Sequence, residues 1–346
     1  MSEAETGTER GLRLAEVAQV SDGMAATRSR NAKVALAAEL LTRAATPPNQ
    51  EAGRITAWLT GELPEGKIGL GYQTVKKVFE ALGPTHPTDA DLTVSEVQAT
   101  ITALASASGA GVNALRQRLL EGLFARATAS ERAFLAGLFL GEMRQGALDG
   151  VLTQALAKAF GAPDADVRRA VMLAGRLATV ADALASGGRE ALGRFQLEVF
   201  RAVQPMLAET AEDVAAVAEV DVPQLVEAKL DGARVQAHKR GGEVRVFSRA
   251  GNDVTIAVPE VVAQLAALPV SDAILDGEVI ALRPDGRPHP FQTTMRRFGR
   301  RLDIDALRDE LPLTTFWFDL LRADGVDLLG EPLGTRRARL EGLLPG

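Results

Sequence analysis

Cysteine does not occur in the 346 residues, which excludes a disulfide framework, a thiolate metal site and a cysteine nucleophile. Aromatic residues make up 4% of the chain, with one Tyr and two Trp, too few for the stacking platform that binds single-stranded nucleic acid. The three histidines, His86, His238 and His289, stand far apart without ligand spacing. They read as structural or surface residues, and no zinc site is expected. The longest stretch free of charged or strongly polar residues, Ala133–Gly141, falls far short of the roughly 20 residues that span a bilayer, so no membrane partner is expected. The opening MSEAETGTER is acidic and has no apolar segment. A secretory signal is therefore not expected, and the chain reads as cytoplasmic.

What remains is an ordinary globular composition, 46% hydrophobic and 24% charged. At about 150 residues per domain, the length suggests two domains and a short tail. The net charge of −6 speaks against the basic footprint usual for phosphate binding. That argument is weak, because contacts depend on local patches and helix N-termini that a charge sum does not register.

Residues 1–25 read as a flexible acidic tail and residues 26–203 as an all-helical domain, rich in Ala, Leu, Arg and Glu with apolar positions three and four apart. Ser29 is placed to cap a helix presenting Val34, Ala38 and Leu41 on one face and ending near Pro47-Pro48. Capping boxes at Thr93–Glu96 and Thr128–Glu131 each precede an apolar-periodic run. The segments GPTHPTD at 83–89 and SASGAG at 106–111 punctuate the helices. An internal repeat matches GELPEGKI at Gly61–Ile68 to GEMRQGAL at Gly141–Leu148. Two readings stand: a pair of phosphate-binding turns related by a pseudo-two-fold axis, or a duplicated helical hairpin whose glycines only permit tight reversal.

The texture changes in residues 204–346. Gln224–Leu230, Arg234–Lys239, Glu243–Ser248, Ala273–Leu282 and Thr315–Leu321 read as strands, with a hairpin across Gly241-Gly242 and a helix over Pro259–Leu268. The fold class is therefore α+β with an antiparallel core. If residues 224–230 alternate as a strand, Glu227 and Lys229 share one face, opposite Val226, Ala228 and Leu230. They open the run E-A-K-L-D-G-A-R, which ends at Arg234.

A bare K-x-D-G is a weak signal, since D-G often marks only a turn. Its weight comes from ordered company: Pro205-Met-Leu-Ala208 before it, then Ser248-Arg249, L-D-G-E-V at Leu275–Val279 and F-W-F-D-L at Phe316–Leu320. With these motifs the chain resembles the ATP-dependent DNA ligases of the covalent nucleotidyltransferase superfamily. The helical half resembles that family's N-terminal DNA-binding domain, whose G-E-L-R-x-G turn is matched by Gly141–Gly146. The resemblance implies a multidomain protein: an all-α DNA-binding domain followed by a partial α+β nucleotidyltransferase (adenylation) domain with antiparallel sheets. It also implies ATP and Mg²⁺ as cofactors, nicked double-stranded DNA as partner, a monomer, and a nucleoid-associated location.

Site roles follow from the same resemblance. Lys229 matches the lysine that attacks the α-phosphate of ATP, Glu227 the residue that recognises adenine, and Arg234 and Arg249 the nucleotide-contacting arginines. Glu278 matches the carboxylate at the ribose or Mg²⁺, and Phe318 the aromatic that stacks on adenine. Gly61, Gly66, Gly141, Arg144 and Gly146 fall in the implied DNA-binding turns. Independent chemistry agrees with these roles. A lysine attacking phosphorus must lose its proton, which at neutrality requires lowering its pKa by about two to three units through desolvation and nearby cations. Arg296, Arg297, Arg300 and Arg301 form the densest basic cluster and read either as phosphate contacts or as a solvated loop.

The family continues with a fourth motif of the E-G-x-x-x-K kind, a fifth with K-x-K, and an OB-fold domain. None occurs before Gly346, so the chain is expected to be a fragment of a longer ligase with weakened or absent self-adenylation. Rival readings are a non-catalytic duplex-binding fragment and an RNA ligase or capping-type nucleotidyltransferase, the latter disfavoured by the long helical domain before the lysine motif.

Overall fold

The computed structural model describes residues 11–46, 51–66, 68–143, 149–205, 210–218, 223–298 and 304–344, with side chains at 304–306 excepted. The chain divides into two units, Met1–Phe195 and Gln196–Gly346.

The first unit is helical: α1 Leu14–Ala26, α2 Arg30–Ala45, α3 Ala52–Thr60, α4 Tyr72–Leu82, α5 Val94–Ser106, α6 Val112–Arg126, α7 Ala129–Leu140, α8 Asp149–Phe160, α9 Asp164–Ala174 and α10 Leu177–Gly187, followed by a 3₁₀ turn. Ser29 Oγ accepts from Ala32 N at 3.3 Å as expected of a cap. Both capping boxes form, at Thr93 and at Thr128. Ala38 and Leu41 are buried while Val34 is half-buried. Pro47-Pro48 lie outside the described residues.

Residues 14–25 of the expected tail instead belong to helix α1, which buries one face in the core. Leu14, Val17 and Met24 of α1 are completely buried, each burial contributing about 1.5–3 kcal/mol. The helix start is anchored to the beginning of α5, with Leu14 N donating to Leu92 O and Val94 N to Leu12 O, both at 2.8 Å. The period of Leu14, Val17, Ser21 and Met24 is helical, and the acidic first ten residues obscure it.

In the second unit α11 (Ala215–Ala218) precedes β1 (Ala233–Arg240), β2 (Glu243–Ser248), α12 (Pro259–Ala266), β3 (Asp272–Ala281), α13 (Phe291–Phe298), α14 (Ile304–Glu310), β4 (Leu313–Ala323), β5 (Val326–Asp327) and α15 (Leu333–Leu343). One antiparallel sheet runs in the order β2-β1-β3-β4-β5. Its inner face packs Val235, Val246, Leu275 and Trp317 against Val261 and Leu265 of α12 and Leu340 of α15. Lys239 is buried and caps the end of α12, its Nζ donating to Ala266 O at 3.0 Å and to Leu268 O at 2.5 Å.

Residues 224–230 form no strand. Both edges of β1 are occupied, by β2 and β3, so the segment preceding it has no free ladder to join there. The outer face of β1 is covered by residues 199–203. Gln236 accepts from Val203 N at 2.7 Å and donates to Val203 O at 3.0 Å, while His238 Nδ1 accepts from Phe200 N at 2.9 Å. This attachment explains why the second unit begins at Gln196, upstream of the boundary expected at 203–204.

Candidate active site

Four of the six residues singled out in the second half converge on one cleft of about 720 Å³. Glu227, Arg234, Glu278 and Phe318 line it together with Leu225, Phe316, Trp317 and Arg337. Strand register explains part of this meeting, because Arg234 on β1 is paired with Glu278 on β3, and Glu278 with Phe316 on β4. Lys229 does not line the cleft, although its neighbours Ala228 and Leu230 do. Its side chain is 88% exposed, with Nζ 3.7 Å from Asp231 Oδ1. Arg249 is exposed and borders a separate recess with Pro205, Gln236 and Ser248, a recess that shares Arg234 with the cleft.

Arg234 is held in a fork. Its Nε donates to Asp276 Oδ1 at 3.1 Å and its Nη2 to Oδ2 at 2.8 Å, and its guanidinium lies 5.5 Å from the centre of the Phe318 ring. Hydrogen bonding to Asp276 raises the arginine's pKa, so it stays a fixed cation. Sequence reading missed Asp276 as a partner, although it shares β3 with Glu278. Glu278 Oε1 accepts from Gly232 N at 3.0 Å. Burial pushes the Glu278 carboxyl above its usual range, against the hydrogen bond from Gly232 and the charges of Arg234 and Lys229.

Gly232 is required by close approach. A Cβ there would sit 2.5 Å from Val279 O and from Ile280 Cγ1. Gly232→Ala is therefore expected to destabilise the second unit by about 1–3 kcal/mol and to displace the loop carrying Lys229. Denaturant melts and the exchange of the Gly232 amide check this; unchanged stability with an intact, slowly exchanging amide would contradict it.

The basic cluster is corrected. Arg297 is buried, donating from Nη1 to Leu311 O at 2.8 Å and from Nη2 to Ala257 O at 3.1 Å and Glu260 Oε2 at 2.9 Å. Such a guanidinium ties α13 to α12 and cannot meet a phosphate. Arg296 pairs with Glu310 at 3.3 Å. Arg300 and Arg301 lie outside the described residues. Of the two readings of the histidines, structural or surface, His238 takes the first and is fully buried.

In the helical unit both repeats end a helix in the same way. Gly61 and Gly141 adopt φ +78° and +69°, the left-handed region in which a residue with a Cβ is strained. Glu62 N then donates to Ala57 O, and Glu142 N to Gly137 O, both at 2.8 Å. The turns touch: a Cβ on Gly61 would lie 3.1 Å from Met143 Cγ. Gly66 also has positive φ, +75°. In the first copy the next helix starts only at Tyr72, so the turn does not lead directly into a helix N-terminus. Arg144 and Gly146 lie outside the described residues.

Comparison with known proteins adds to this geometry. Residues 205–345 match the family model described as ATP dependent DNA ligase domain, and residues 72–157 match DNA ligase N terminus. A "Probable DNA ligase" of Anaeromyxobacter dehalogenans (strain 2CP-1) is 54% identical over 96% of this chain, which spans 64% of that relative's length. The corresponding protein of Rhodococcus opacus (strain B4) is 48% identical over 95% of the chain and 63% of its own length. A solved structure described as Pmar-Lig_Pre superposes with a TM-score of 0.51 over 94% of this chain and 62% of its own, at 15% identity, a likeness of fold alone.

Proposed function

The chain belongs to the ATP-dependent DNA ligases, and from that premise we propose that its second unit performs the nucleotide-charging step of nick sealing while its helical unit holds duplex DNA. One observation carries the reading: the loop bearing Lys229 borders a single cleft that combines the aromatic surface of Phe316 and Phe318 with Glu227, Arg234 and Glu278.

In the proposed reaction, the unprotonated Lys229 Nζ attacks the α-phosphorus of ATP. A P–N bond forms, the P–O bond to the β-phosphate breaks, and pyrophosphate leaves with its electron pair. The AMP then passes to a DNA 5′-phosphate, which frees the lysine, and attack by the 3′-hydroxyl releases AMP. Phe318 supplies a planar face for the base, Glu227 reads its edge, and Arg234, fixed by Asp276, presents a permanent cation to phosphate oxygens.

Mg²⁺, when bound, would offset charge on the triphosphate. Glu278 fits as a protein ligand, since its half-buried carboxylate is disfavoured as a lone anion by desolvation. Among the described residues no group of three or more His, Asp or Glu could hold a metal. A metal held by one carboxylate, phosphate oxygens and waters suits Mg²⁺.

Labelled ATP is expected to leave an acid-labile phosphoramidate adduct that maps to Lys229 by mass spectrometry and is abolished by Lys229→Ala. An adduct surviving that substitution would sink the assignment. The 88% exposure of Lys229 favours a second reading, a duplex-binding portion that does not charge itself. Salt-sensitive binding to nicked duplex without any adduct would select it.

A further inference from the structure

We propose that Arg337 is a positioning residue of the nucleotide site, fixing Glu227 against the wall that holds the base; this rests on the ligase reading of the cleft. Glu227 lies in a segment that no strand pairing holds in place, so its carboxylate needs another anchor if it is to read one edge of a base. Arg337 supplies it from α15. Its Nη1 donates to Glu227 Oε1 at 3.2 Å and to Phe318 O at 3.4 Å, while its Nε donates to Glu341 Oε1 at 3.1 Å. One guanidinium thus ties the base-reading carboxylate to the strand carrying the stacking ring.

The helix presenting it is itself locked. The preceding residue, Arg336, makes a fork to Asp319 on β4, with Nε to Oδ1 at 2.7 Å and Nη2 to Oδ2 at 2.9 Å. Leu340 of α15 is 1% exposed in the core. Glu341, one turn beyond Arg337 on the same helix face, orients the guanidinium along its other edge. Lysine, with one compact ammonium, can reach Glu227 or Phe318 O but cannot reproduce the planar set of contacts.

The test uses the full chain with ATP and GTP as probes. Arg337→Ala is expected to weaken ATP binding about three- to tenfold, the range for partly exposed charged pairs and hydrogen bonds. It should lower the preference for ATP over GTP by a similar factor and speed amide exchange at residues 224–231 without nucleotide. Arg337→Lys should recover part of both losses. ATP affinity within twofold of the unaltered chain overturns the proposal, including when loop exchange accelerates, because Arg337 is then only a structural tie. Failure of the unaltered chain to bind ATP overturns the nucleotide-site reading and this role together, whereas intact ATP binding with no response to Arg337→Ala overturns the role alone.

Discussion

Asp276→Ala is expected to lower the stability of the second unit by about 2–3 kcal/mol and to weaken ATP binding at the same time. Asp276 is 9% exposed and its partner Arg234 33%. Removing one member of a buried pair costs about 3–5 kcal/mol because the other charge is left uncompensated, and partial solvation of Arg234 reduces this. Glu278 and Asp319, both close enough to influence Arg234, take up part of the lost field but do not restore the fork. The melting temperature of the unit should fall by about 4–12 °C. Indole emission of Trp317, recorded in a Trp58→Phe background, reports it. Asp276→Asn retains one acceptor oxygen and should lose less than alanine does. Equal stability of the alanine variant and the parent would show that the Arg234 fork contributes nothing.

The second large effect is acid sensitivity centred on His238. Burial lowers its pKa to about 3, and the hydrogen-bond pattern points the same way. Nδ1 accepts from Phe200 N, so the ring proton resides on Nε2, 3.2 Å from Gln236 Oε1. A proton added at Nδ1 would set two N–H groups against each other. Unfolded histidine titrates near 6.5. Between that value and about 3 the unfolded chain therefore carries the extra proton, and stability falls as pH falls. The loss is about 2 kcal/mol at pH 5 and about 3–5 kcal/mol across the whole window.

Glu278, whose pKa is raised by burial, acts in the opposite sense, so the measurement is a difference between variants. Urea melts at pH 7 and pH 5 on the parent and on His238→Gln should show the parent losing about 2 kcal/mol more. Parallel losses in the two proteins would refute a buried neutral imidazole. The local consequence is release of residues 199–203. Phe200 there has φ +76°, and Arg240 and Arg245 lie 5.6 and 4.8 Å from the centre of its ring.

Much of this architecture was legible from local pattern. The helical half, both capping boxes, the Gly241-Gly242 hairpin, α12 and the four strands that formed were readable because each depends on residues within one turn or one pleat of each other. The convergence of Glu227, Arg234, Glu278 and Phe318 was legible through motif order. Residues 224–230 misled because strand-like alternation records which face is apolar and not whether a ladder is free to receive the segment.

Composition and periodicity determined the two-part organisation and the absence of thiol chemistry, while the ordered motifs carried the resemblance to the ligase family. Tertiary structure decided which charged and polar groups have partners. Arg234 meets Asp276 across 42 positions, Arg297 meets Glu260 across 37, His238 receives Phe200 N across 38, and Arg337 reaches Glu227 across 110. A charged residue reads the same in sequence whether water or a distant carboxylate satisfies it. Folding separates the cases, because desolvating a charge without a partner costs more than the chain can recover from its packing.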